Sequence, residues 1–462
     1  MPYNLLRKEN LSRYINTDKH FVKTIGAFEL LTLGIGSVIG TGIFILPGTV
    51  AATKAGPAVT ISFIIAAFVC ALCSMCYAEL SASIPIAGSA YSYGNILYGE
   101  FIGWILGWAL ILEYMLSVAA VSTGWASYCN SLLSSFNWQL PHFLSGPFNP
   151  AQGTYVNLLA ILSVIFIAAL LSKGMKSSLK FNNIAVLLKI GIICIFIIVG
   201  LFYIKPKNYT PYFPFHFSGI FKGATTVFFA FLGFDVISAS AAEVKKPEKN
   251  MPIGIIGTLI IAVLLYIGVS IVLTGMISYN KLDVANPVAF ALKSVNQGWI
   301  ADCLSIGAII GMSTMMLSMI YSSSRLIYSI GRDGLLPNFL GKINTVGLPK
   351  NALIVVTIII ALMGGLFSLD ELTSLVSIGT LLAFTFVSFG VILIRRRRTD
   401  IPSGTFKVPL YPFIPLLSGI CCIGMMTFLS KRTFMFAGIW FSIGILIYLL
   451  YGYKHSKINQ IK

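Results

Sequence analysis

Seven long stretches of this chain carry no charged residue: 55–78, 250–280, 303–324, 351–369, 372–394, 408–430 and 433–453. About 20 such residues in a helix cross the hydrocarbon of a bilayer. The apolar positions run continuously, without the strict in–out alternation of a membrane β-barrel strand. The pattern therefore predicts an all-α polytopic membrane protein. Adding runs that contain isolated charges gives 12 predicted spans: 27–53, 58–83, 97–130, 155–172, 181–203, 218–242, 253–277, 299–325, 351–369, 372–394, 408–430 and 433–453. The third and eighth are long enough to predict tilt.

Two predicted spans are interrupted at their middle. Span one carries Gly34, Gly36, Gly40 and Gly42 within nine residues. Each glycine weakens a helix by about 1 kcal/mol against alanine. In hydrocarbon the freed backbone groups must find other partners, so a break is tolerated only against protein, water or a ligand. Span six carries Phe229, Ala230, Phe231, Leu232, Gly233, Phe234 and Asp235 at the matching place. Interruptions at corresponding places in two blocks of spans point to a solute site between them. An opened helix offers N–H groups to an anion and carbonyls to a cation. A zwitterion presents both charges. Close packing of small residues between helices explains the span-one glycines equally well from composition alone. Phe229, Phe231 and Phe234 either close over a solute or fill the core. No strand precedes the glycines and no lysine follows them, so they are not a nucleotide loop.

Composition agrees with the pattern. Of 462 residues, 57% are hydrophobic and 10% are charged, against about 25% charged in soluble domains. The formal net charge of +17 would suggest a nucleic-acid partner in a soluble chain. Here the charges fall in short loops, where they set orientation. With the N-terminus inside, 23 of the 32 Lys and Arg lie in inside segments or at their edges, and 8 lie outside. That bias predicts both termini in the cytoplasm. The first 26 residues are polar and basic, with no signal-peptide core. Tails of about 25 and 10 residues leave no room for a signalling domain.

The remaining lysine is Lys189, deep within span five; Glu113 lies in the middle of span three. Charges at that depth are expensive unless partnered, and mark functional positions by default. Asp235 lies near the second break, where it either acts or caps the second half-helix. The histidines His20, His142, His216 and His455 fall in loops or tails. Cys70, Cys73 and Cys76 sit at three-residue spacing inside a span, without a fourth ligand, and read as small buried hydrophobes. No metal or cofactor is expected. The absence of a nucleophile–base pair at membrane depth disfavours an enzyme.

At these residues the sequence resembles the amino acid–polyamine–organocation superfamily, and within it bacterial members of the cationic amino acid transporter family. The stretches are GIGSVIGTGIF (34–44), AGPAVTISFI (55–64), YAELSASIPIAGSAYSY (77–93), GWALILEY (107–114), FFAFLGFD (228–235), EVKKPEKNMPIGI (243–255) and GRDGLLP (331–337). The resemblance implies an inverted-repeat fold of the LeuT type. Its two five-helix repeats are 27–203 and 218–394, with two peripheral helices at 408–453 and tails at 1–26 and 454–462. It implies that Val38 offers a carbonyl to a substrate ammonium, and that Thr41 and Gly42 offer N–H groups and a hydroxyl to its carboxylate. Phe229, Ala230 and Leu232 offer carbonyls from the second break. Lys189 matches the lysine that stands in place of a sodium ion in related proton-coupled carriers, and Glu113 matches an acidic residue of span three. Met319 sits where the family adjusts room for the substrate side chain. Animal carriers of arginine and lysine favour smaller residues there and have two more spans at the C-terminus.

The expected activity is import of neutral amino acids by proton symport across a bacterial plasma membrane, with amino acid, protons and membrane lipid as partners. A small single-span subunit is a further partner the sequence leaves open; nucleic acid is not one. A carrier of cationic amino acids and an exchanger remain alternatives, as does a sensor on a transporter scaffold. A channel fits less well, since a lone buried lysine and a gap sized for one zwitterion suit alternating access.

Overall fold

The computed structural model describes residues 7, 23, 25–86, 88–172, 175–344, 348–397 and 405–458. His20 and the basic residues Lys8, Arg13, Lys19, Lys173, Arg398 and Lys462 lie outside them. Among the described residues every element is helical, apart from isolated bridges. In chain order the helices are α1 (Ala27–Val38), α2 (Thr41–Phe44), α3 (Leu46–Val50), α4 (Val59–Ser83), α5 (Ser89–Leu97) and α6 (Glu100–Ser135). Next come α7 (Leu158–Ser172), α8 (Met175–Leu201), α9 (His216–Val227), α10 (Phe234–Ala239), α11 (Pro247–Met276), α12 (Pro287–Ser294) and α13 (Gly298–Arg332). The last are α14 (Lys350–Leu366), α15 (Leu369–Arg397), α16 (Phe413–Met426) and α17 (Lys431–Ile447).

Among the described residues, eight helical runs are long and apolar enough to cross a membrane, and four shorter apolar helices accompany them. One run, Leu46–Ser83, joins the end of predicted span one to span two. It is turned at Gly56, where φ is +63°. The predicted ends of the third span move from 97–130 to Glu100–Ser135, because its polar last turns, Cys129 to Ser135, continue the helix.

The bundle is dry inside and apolar outside. α6 is almost wholly buried, packed against α13 and α15, whereas the last run, Lys431–His455, is mostly exposed. Large apolar side chains face outward along the spans, among them Phe68, Phe166, Leu187, Leu264, Leu362 and Ile439. In water such a surface would drive aggregation; in hydrocarbon it is matched to its solvent. Buried hydroxyls meet the same constraint by bonding to carbonyls one turn back, as in Ser270 to Tyr266 at 2.7 Å and Ser388 to Phe384 at 2.7 Å.

The two interrupted spans lie together. α1 packs on α11 and α8, and α10 packs on α11 and α1. The N-terminal end of α1 is joined to the end of span six by two backbone bonds, Ile25 N to Glu243 O at 3.1 Å and Lys245 N to Ile25 O at 2.9 Å.

Candidate functional site

Both breaks form where the sequence predicts them. α1 ends at Val38; Ile39 turns extended (φ −83°, ψ 97°) and Gly40 follows at φ −128°, ψ −133°, before α2 restarts at Thr41. In span six, α9 tightens into a 3₁₀ turn over Phe228–Phe231. Leu232 is extended (φ −66°, ψ 147°), Gly233 takes φ +114°, and α10 begins at Phe234. A side chain at Gly233 would be strained by that φ, and its Cβ would stand 2.6 Å from the Ser37 carbonyl oxygen. Only glycine lets the two chains meet there.

The breaks touch at a second glycine. A Cβ on Gly42 would fall 2.7 Å from the Cα of Ala230, so the start of α2 rests directly on the 3₁₀ turn. The Ser37 hydroxyl lies 2.9 Å from the Gly233 carbonyl, 2.9 Å from that of Gly34 and 3.0 Å from that of Leu33. Tyr266 of α11 brings its hydroxyl 3.0 Å from the Val38 carbonyl and 2.6 Å from the Ala230 carbonyl. Two carbonyls freed by the two breaks therefore converge on one point. In the first residue of α2, the Thr41 hydroxyl is buried and has no hydrogen-bond partner among the described residues. Its methyl faces Gly124 of α6. Freed carbonyl acceptors and an unused donor at the same pair of breaks match a ligand bearing an ammonium and a carboxylate.

Lys189 is fully buried on α8. Its ammonium lies 2.9 Å from the Ile39 carbonyl, 3.1 Å from that of Gly36, 2.9 Å from Oγ1 of Thr314 and 3.4 Å from the Gly311 carbonyl. An ammonium has three protons, so it can satisfy both α1 carbonyls and the Thr314 hydroxyl. All four oxygens belong to neutral groups. The lysine thus bridges the α1 break to α13. Asn182, about two helical turns before it, donates to the Thr32 carbonyl at 3.3 Å and covers Gly36.

Glu113 belongs to a different cluster. It is fully buried on α6, and its carboxyl group has no ion-pair partner among the described residues. Asp235 is its acidic neighbour, and Thr380 of α15 stands beside it. Asp235 lies in the first turn of α10, next to the backbone at Gly233 and Val236, and its Oδ2 accepts from the Tyr114 hydroxyl at 2.6 Å. Tyr114 also lines a cleft of about 40 Å³ whose other walls include Ser89, Arg325, Tyr328 and Arg332.

The remaining predicted positions are all near the breaks. Met319 of α13 is buried, with its methyl 3.2 Å from where a Gly233 Cβ would be. Phe229 is buried in the 3₁₀ turn, and Leu232 at its end. Phe231 and Phe234 serve the core: Phe231 is edge-on to Phe63 and Tyr266, and Phe234 to Tyr77. Cys70, Cys73 and Cys76 are buried in α4, and Cys73 touches Cys422 and Ser418 of α16. Sequence reasoning missed Tyr266, Thr314, Asn182 and Met315, whose sulfur covers Gly40. The one signal was their place: each is a polar or polarisable side chain inside an apolar run.

Residues 25–451 match the family model described as amino acid permease. The chain belongs to the amino acid permease family. A methylthioribose transporter of Bacillus subtilis (strain 168) is 46% identical over 99% of this chain and all of that protein. The branched-chain amino acid permease BcaP of the same strain is 42% identical over the full length of both. A vacuolar cationic amino acid transporter 4 of Arabidopsis thaliana is 34% identical over 81% of this chain and 63% of the plant protein. This permease is therefore a multi-pass membrane protein built for transport, with relatives among the cationic amino acid transporters as the sequence motifs implied.

Proposed function

We propose that this permease imports neutral amino acids into a bacterial cell by proton symport. The observation that carries the reading is the convergence of the Val38 and Ala230 carbonyls at the meeting point of the breaks, with the unpartnered Thr41 hydroxyl nearby. The substrate ammonium donates to the Val38 and Ala230 carbonyls, and those of Phe229 and Leu232 add negative potential around it. The carboxylate accepts from Thr41 and Gly42. Met319, wedged against Gly233, leaves room for an apolar side chain and too little for a long cationic one. Kinship with a branched-chain amino acid permease supports that preference.

The architecture follows the same reading. Eight long and four shorter apolar helices support 12 spans, arranged as two five-span repeats of the LeuT type, 27–203 and 218–394, with 408–453 outside them. The excess of basic residues in alternate loops supports cytoplasmic termini in the bacterial plasma membrane. Lys189 occupies the cation position beside the first break and carries the transported proton. Glu113, with Asp235, is the second proton-linked site.

A second reading is favoured by the methylthioribose transporter, at 46% identity. A thiosugar has hydroxyls but neither ammonium nor carboxylate, so it would leave the proposed charge complementarity unused. The test is uptake by the purified protein in proteoliposomes of labelled leucine, alanine, arginine and methylthioribose. The proposal expects leucine and alanine to enter and arginine and methylthioribose to be poor. Uptake of methylthioribose alone would replace it with the second reading, and equal uptake of arginine would overturn the selectivity.

A further inference from the structure

The proposed site already has an occupant that belongs to the protein. Tyr266 is fully buried on α11. Its ring is fixed from both sides, stacked on Phe63 of α4 (centroids 5.5 Å apart) and edge-on to Phe231 (5.0 Å). So held, the ring delivers its hydroxyl to a point between three pieces of broken helix. Those are the Val38 carbonyl at 3.0 Å, the Ala230 carbonyl at 2.6 Å, and Gly42, whose added Cβ would lie 3.4 Å away.

A phenol has one proton to donate. It satisfies one of the two carbonyls at a time, and the other is left facing an oxygen. An α-ammonium carries three protons and satisfies both carbonyls at once. The carbonyls that the proposed ammonium needs are therefore the ones the tyrosine holds when no substrate is bound.

We infer that Tyr266 is a built-in placeholder for the substrate ammonium: its hydroxyl ties span one to span six in the empty carrier, and the ammonium takes over that tie on binding. The inference rests on the proposed amino acid site. It gives the empty protein a way to keep its two breaks together, so that the return of the carrier does not leave freed carbonyls unpaired in a dry interior. It also makes recognition depend on the ammonium, since only a multi-proton donor replaces the tie on both sides.

Tyr266→Phe keeps the ring and its contacts with Phe63 and Phe231, and removes only the hydroxyl. The experiment is thermal unfolding and leucine binding of the purified full chain, wild type against Tyr266→Phe, with and without saturating leucine. 4-Methylpentanoate, the same molecule without its ammonium, is the control ligand. The expected result is a lower unfolding temperature for the empty variant, recovered in large part by leucine. The leucine-induced shift is then larger than in wild type. Leucine affinity should stay within threefold of wild type or tighten, and 4-methylpentanoate should give no such recovery. An equal loss of unfolding temperature with and without leucine would make the hydroxyl merely structural and overturn the inference. A tenfold or greater loss of leucine affinity would make it a permanent ligand and overturn it as well. If the variant does not fold, wild-type chain carrying 3-fluorotyrosine at position 266 reports the same event by ¹⁹F resonance. A shift on adding leucine supports the exchange of partners, and no shift sinks it. Failure of wild type to bind leucine at all would instead be failure of the proposed function.

Discussion

Thr41, Met319 and Lys189 show how single side chains decide this site. The Thr41 hydroxyl is buried without a partner, an arrangement that is costly unless a ligand completes it. Thr41→Ala removes that donor and leaves the backbone N–H groups. Amino acid binding should weaken by about 1–2 kcal/mol, the range for a lost bond to a charged group; calorimetry showing unchanged affinity would move the carboxylate elsewhere. Met319 presses its methyl on Gly233. Met319→Ser should open volume beside the second break, and the ratio of arginine to alanine affinity should rise in a competition assay. A constant ratio would mean that the thioether does not face the substrate side chain.

Legibility at this scale followed chemistry. A lysine deep in an apolar span stands out because hydrocarbon penalises it; that its ammonium meets the Gly36 and Ile39 carbonyls of the first break is visible only in the fold. Tyr266 and Thr314 did not stand out, since a tyrosine or threonine in an apolar helix is unremarkable until another helix brings carbonyls against it. Lys189 and Glu113 read alike in the sequence, as two charges at membrane depth. The fold separates them: the lysine meets α1 and α13, and the glutamate meets Asp235 and Thr380.

Among elements, the breaks were readable because glycines weaken the middle of span one and an interruption recurs at the matching place in span six. The helix ends were less so. The turn at Gly56 and the extension of α6 to Ser135 depend on where the chain packs, which periodicity does not encode. The peripheral helices are tied to the bundle by a staple that composition alone hides. Arg395 of α15 makes two bonds of 2.6 Å to Glu79 of α4, and the Val408 N–H reaches the same carboxylate at 2.6 Å. The guanidinium lies over the Tyr411 ring at 4.3 Å. Glu79 is buried, so removing it strands a cation and an N–H against the bundle. Glu79→Ala should destabilise the protein by about 3 kcal/mol and lower its unfolding temperature, while charge-preserving Glu79→Asp should lose less. Equal unfolding temperatures for all three proteins would show that the staple contributes nothing.

For the whole molecule, the apolar belt and the dry centre follow from a single cause, the replacement of water by lipid as solvent. The composition made that change of solvent plain. Direction was not plain, because a carrier's work lies in the difference between two arrangements of the same helices. The account assigns that difference to Lys189. Bound to the Gly36 and Ile39 carbonyls, a protonated lysine holds the first break to α13; a neutral one has fewer protons to give and releases it. Arginine keeps the charge and cannot release its proton.

The most direct test is uphill uptake of labelled leucine by proteoliposomes under an imposed inside-alkaline pH gradient, wild type beside Lys189→Arg. The account predicts that wild type concentrates leucine above the outside level and loses that ability when a protonophore collapses the gradient. Lys189→Arg should bind leucine yet never exceed equilibration. Concentrative, gradient-dependent uptake by folded Lys189→Arg, or wild-type uptake indifferent to the gradient, would contradict it.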